Sequence, residues 1–261
     1  MNKGQSRKRR YNKTAPKKYS RPIIKRYKPN VYNKYSAKKK SQEIKTVDMT
    51  FSGGYNNGVY APDQLNNPVI MINSTGTIQN LACIQQGSGV SQRIGNKVAL
   101  KSLRIRLALS DLQHNYDVIS ENRIMIVYDR QPNGTYPTIN NMLQLIKQDG
   151  STAHGNEVSN INVSQLDRYV VLMDKLISLP PYESGAFNTT SMVGVTQQSS
   201  YIIDEFIKLK RLETCFSTTS NPCTIATIQT GALYVISLGD AVATGEPYCW
   251  VGNMRLRFYD N

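Results

Sequence analysis

CWVGNMRLRFY, residues Cys249–Tyr259, decides the fold class. Trp250, Met254, Leu256 and Phe258 fall on every second position, and Asn253, Arg255 and Arg257 stand between them. A period of two places apolar side chains on one face and polar ones on the other, as in a strand with one side in a core. KVALKSLRIRLAL (Lys97–Leu109) repeats the pattern, with Leu103, Ile105, Leu107 and Leu109 opposed to Arg104 and Arg106. Val98 and Leu100 are out of phase with that set, which predicts a bulge near Lys101-Ser102.

Outward from these two segments, six more read as strands: Ile44–Phe51, Pro68–Asn73, Arg123–Asp129, Tyr169–Lys175, Tyr201–Phe216 and Thr227–Leu238. Within Tyr201–Phe216, the stretch Ile202–Leu212 also fits a helix, although its β-branched and aromatic residues favour a strand. Ile139–Lys147, introduced by Pro137-Thr138, is the best short-helix candidate. The connections are long, unequal and rich in Gly, Asn, Pro and Ser, and no internal repeat is visible. The predicted fold is all-β: a single eight-stranded antiparallel jelly roll of two packed sheets. A length of 261 residues with 39% hydrophobic content suffices for one such core.

The charge is unevenly placed. Residues 1–40 hold sixteen Lys or Arg and no acid, whereas the rest of the chain holds sixteen Lys or Arg against eighteen Asp or Glu. The net charge of +14 therefore belongs to the first segment. Its few aliphatic residues cannot offset ordering entropy, and Pro16, Pro22 and Pro29 break any helix. We expect residues 1–42 to be a disordered arm and residues 43–261 a folded body. The predicted nucleic-acid-binding cations are Arg7, Lys8, Arg9, Arg10, Lys13, Lys17, Lys18, Arg21, Lys25, Arg26, Lys28, Lys34, Lys38, Lys39 and Lys40. Between them lie Tyr11, Tyr19 and Tyr27, with Tyr32 and Tyr35 further on, rings suited to stacking on unpaired bases. Arg7–Arg10 and Lys38–Lys40 also fit nuclear-import signals, the alternative being that any phosphate-binding arm contains such runs.

Catalytic chemistry finds no foothold. No phosphate-binding glycine loop, nucleophile elbow or zinc helix occurs, and Gly87, Gly89 and Gly95 suit turns better than a dinucleotide site. His114 and His154 are the only histidines, both in polar segments. Cys83, Cys215, Cys223 and Cys249 match no zinc spacing or disulfide framework and read as buried or half-buried free thiols. Asp129, in VYDRQPNG, reads as a turn cap rather than a calcium ligand. The sequons at Asn12, Asn73, Asn162 and Asn188 read as chance matches in an Asn- and Thr-rich chain. No cofactor, metal site or catalytic residue is predicted. No apolar run is long enough for a bilayer span, and no signal-peptide pattern follows the basic start, so the reading is a soluble protein without a membrane partner.

RIGNKVALKSLRIRLAL (93–109), RIMIVYDRQPNGTYPTINNML (123–143), LDRYVVLMDK (166–175), FIKLKRLETCF (206–216), GALYVISLGD (231–240) and GNMRLRFYDN (252–261) together resemble a known family. It is that of the capsid proteins of small circular single-stranded DNA viruses that encode a replication initiator. Their jelly rolls are similar to those of geminiviruses and plant satellite viruses. The resemblance spans roughly residues 80–261. It implies a homo-oligomeric icosahedral shell with the arm inside on single-stranded DNA, and passage through the host nucleus with an import receptor as partner. About sixty arms would carry roughly a thousand cations, on the order of the phosphates in a strand of one to a few kilobases. An RNA cargo, or a cellular nucleic-acid binder with a basic tail, is the rival reading; the near-neutral body argues against the latter.

Overall fold

A computed structural model describes residues 43–51, 70–111, 120–146, 154–179, 201–217, 222–239 and 248–260. Ten strands are present among them: β1 (Ile44–Phe51), β2 (Ile70–Met71), β3 (Thr77–Asn80), β4 (Lys97–Asp111), β5 (Ser120–Asp129), β6 (Tyr169–Leu179), β7 (Tyr201–Phe216), β8 (Ile228–Thr230), β9 (Ala232–Gly239) and β10 (Tyr248–Asp260). One sheet runs β1-β10-β4-β7-β8, with β2 beside β10; the other runs β3-β9-β5-β6. Every ladder is antiparallel. Setting aside the short β2 and β8, the remaining eight strands form two four-stranded sheets in which first pairs with last, the nested order of a jelly roll.

Three sequence expectations shift in detail. Pro68–Asn73 contributes only the two-residue β2, whose ladder to Cys249 and Trp250 carries on where β1 stops at Gly252. The strand that completes the second sheet is instead Thr77–Asn80, whose four mostly polar residues hide it from a search for apolar alternation although all are buried. Thr227–Leu238 is not one strand. Gly231, at φ +74°, separates β8 and β9 and sends them to different sheets. Ile139–Lys147 shortens to a single helical turn, α1 (Ile139–Met142), because Leu143 is already extended and bridges Ile161. Ile202–Leu212 is strand throughout.

The predicted bulge is found at Lys101. Arg257 and Phe258 pair with Ser102 and Leu100, leaving Lys101 unopposed. On the other side, Ser102 pairs with Lys208 and Leu100 with Leu212, so β7 loops out Leu209, Lys210 and Arg211. Lys210 and Arg211 take left-handed φ values of 48° and 64° to do so.

The sheets differ in how they are covered. All eight residues of β9 are buried, and Met142 of α1 and Gln165 of the 163–165 turn pack over Met125 and Val127 of β5 and Tyr169 and Val171 of β6. In the first sheet, β1 and β10 alternate buried and exposed, with Met254, Leu256 and Phe258 inside. Trp250 is fully buried, and its indole N–H donates to Ser237 Oγ across the sandwich at 2.9 Å. Tyr128 of β5 donates to the Glu213 carbonyl of β7 at 2.5 Å. The first sheet thus presents a face that no described residue covers, and the chemistry of that face is set by the residues between the core positions.

Candidate nucleic-acid interface

Register assembles this face from residues distant in sequence. Reading across β1, β10, β4 and β7, one row is Thr46, Arg257, Ser102 and Lys208. The next is Asp48, Arg255, Arg104 and Phe206, and the third is Thr50, Asn253, Arg106 and Asp204. Five cations stand against two carboxylates on these twelve positions.

Arg104 and Arg255 are directly opposed, an arrangement that costs stability when nothing neutralises it. Each takes a neighbouring carboxylate. Arg255 forms a two-pronged pair with Asp48 at 2.6 and 2.8 Å, and Arg104 pairs with Asp204, which Arg106 also approaches at 3.5 Å. The Arg255 hydrogen bonds hold the Asp48 carboxyl below the usual range against the opposing effect of burial, and the charges of Arg255 and Arg257 add to the lowering. Two carboxylates serve three arginines, and Arg257 and Lys208 add further charge. A groove of about 580 Å³ runs over Arg104, Arg106, Arg255 and Arg257, with half-exposed Phe206 at its side. Beyond the bulge, Lys101 and Arg211 approach the ring of Tyr259 at 5.4 and 4.8 Å. An excess of cations in a groove with an aromatic ring suits a polyanion with exposed bases.

The arm residues predicted from sequence, Arg7 to Lys40 with Tyr11, Tyr19 and Tyr27, lie outside the described residues. The sequence reading saw Arg104, Arg106, Arg255 and Arg257 as the polar sides of two strands but did not join them, and it passed over Phe206 and Lys208. The signal was there. A strand that needs only solubility on its outer side tends to alternate signs, whereas these two strands carry arginine alone among charged groups at those positions. The near neutrality of the body, used against a cellular binder, is consequently no argument: the sum hides a segregated cationic face.

Elsewhere the turn and thiol readings hold. Asp129 is fully buried, accepts from the Gln131 N–H at 2.9 Å and is gripped by Arg168 at 3.0 and 2.9 Å. Gly89 N–H donates to Gln92 Oε1 at 2.9 Å within a turn. All four cysteines are free thiols, and burial pushes Cys249 up to about 11.

A profile of the geminivirus coat protein/nuclear export factor BR1 family matches residues 2–261. The chain belongs to that family. No curated protein matches the sequence. The molecule is thus a viral coat protein of the circular single-stranded DNA virus type, a component of the virion, with the jelly roll of such a coat subunit. Family membership, rather than the charge of the body, disposes of the cellular rival.

Proposed function

We propose that this coat protein assembles with copies of itself into a small icosahedral shell of about sixty subunits, the smallest such count, and packages a single-stranded DNA genome. Residues 1–42 form the basic arm that holds the genome, through the cations from Arg7 to Lys40 and the rings of Tyr11, Tyr19 and Tyr27. The cationic sheet face joins in from the body. Its role is structural rather than catalytic. Arg7–Arg10 and Lys38–Lys40 serve nuclear entry through a host import receptor before assembly.

The observation that carries this reading is charge segregation at two levels. The arm holds all of the excess charge of the chain, and the body, though it nets slightly negative, gathers five of its cations on one bare sheet face. Sizing and negative-stain microscopy of the purified protein, with and without single-stranded DNA, test it. Uniform spherical particles of many subunits, holding nuclease-protected single strands, are expected. A monomer or dimer at low and moderate salt, with and without nucleic acid, would overturn it.

A further inference from the structure

We infer that Phe206 is a base-stacking platform, and that the sheet face around it is a single-strand subsite of the body, separate from the arm. The inference rests on the packaging reading above. β7 turns Ile203 and Leu209 into the core, with 1% exposure each, and Phe206 outward at 49%. A large ring left half in water on a strand that has inward positions to offer is not explained by the core. It stands directly opposite Arg104, in the row that ends with Arg255 and Asp48, and along its own strand it is flanked by Lys208 on one side and by Asp204, the partner of Arg104, on the other.

Strand spacing sets the scale. Neighbouring strands lie about 4.8 Å apart, so Phe206, Arg104 and Arg255 span roughly 10 Å across the sheet. Single-stranded nucleotides fit such a strip, with an unpaired base on the ring and the flanking phosphates on the guanidinium groups. A duplex keeps its bases stacked inside and offers only phosphates, so the ring gives it nothing. Contact with the same face of a second copy is disfavoured by charge: a two-fold contact would set arginine against arginine. The ligand class is therefore a single-stranded polynucleotide, bound with no base-edge reading because every base has a π-face.

The test uses the full chain and short oligothymidylates of about six nucleotides, near the lower end of such site sizes. F206A and F206L should lower single-strand affinity about five- to a hundredfold, the worth of one stacked base, while duplex affinity and the salt slope stay as in the unchanged protein. F206Y should restore it. R257A should instead weaken single strands and duplex alike and reduce the single-strand salt slope by about 0.7. A photoactivatable halogenated uracil in the oligonucleotide should crosslink to the peptide containing Phe206. DNA and RNA versions run side by side should both bind, since stacking does not read the sugar. The inference is overturned if F206L keeps the full preference for single strands, or if crosslinks fall only within residues 1–42. Particles of F206A that still package DNA, with strand preference unchanged, would sink the subsite and leave the packaging reading intact. A Phe206 crosslink in a protein whose particles contain no nucleic acid would do the reverse.

Discussion

Single residues tie the start of the body to its end. Lys45, buried to 3% exposure of its side chain, donates to Asp260 Oδ2 at 2.8 Å and to the Gln92 carbonyl at 2.9 Å. Asp260 also accepts from the N–H groups of Ile94 and Gly95. Burial drives its carboxyl upward, but these hydrogen bonds and the Lys45 charge outweigh it and hold the group below its ordinary value of 3.8. A carboxylate depressed in the folded state stabilises above the unfolded value, and that stability is lost as pH falls through the folded one. Chemical denaturation from about pH 5 downward, where unfolded carboxyls begin to bind protons, should thus show the unchanged protein weakening, and D260N a flatter acid limb. At neutral pH, D260N should cost about 3 kcal/mol, because it strands a buried ammonium. An equal acid limb in the two proteins would refute this role. At the same scale, the sequons at Asn73 and Asn162 have a structural use. Each side-chain oxygen accepts from the hydroxyl two residues on, as does Asn133 from Thr135, so the spacing builds turns.

At the scale of elements, the informative places are where strands change partner. Gly231 lies where the chain passes from β8 to β9, and a Cβ there would sit 1.9 Å from the Glu213 carbonyl and 2.4 Å from the Tyr128 hydroxyl. Those groups and the Thr214 hydroxyl, which donates to the Gly231 carbonyl at 2.7 Å, clasp the two sheets together. G231A adds left-handed strain to a backbone clash, so a loss above about 3 kcal/mol in urea unfolding is expected. Stability within 1 kcal/mol of the unchanged protein would show that the clasp gives way freely. The looped-out segment of β7 makes a milder case. With Lys210 at φ 48°, K210V should cost on the order of 1–2 kcal/mol, and K210G should stay within about 1 kcal/mol of the original. The bulge itself was legible, because Val98 and Leu100 break the phase of Leu103–Leu109. Its breadth on β7 was not, since a strand's own sequence does not state how many residues its partner will skip.

For the whole molecule, the division of charge predicts separable losses. Deleting residues 1–40 should leave a cooperative thermal transition and abolish encapsidation; packaging at full level by the truncated protein would remove the arm's assigned role. Replacing Arg104, Arg106 and Arg257 together with glutamine should leave the sheet intact, since all three sit on its outer side, but lower the amount of protected nucleic acid per particle. An unchanged amount would show that the body takes no part.

The class of the fold was open to the sequence because alternation is a local property: Trp250, Met254, Leu256 and Phe258 must share a face whatever β10 pairs with. The concentration of charge in residues 1–40 is likewise a property of sequence alone, since sixteen cations without an acid repel one another in any conformation. Membership of the second sheet was not so readable. Thr77–Asn80 is buried although it is mostly polar, and Gly231 divides a stretch, Thr227–Leu238, that reads as one strand. Nor was the cationic face. Arg104 and Arg255 are about 150 residues apart, and only the β4–β10 register, a long-range choice fixed by burying the opposite sides of both strands, puts them face to face with Phe206 beside them.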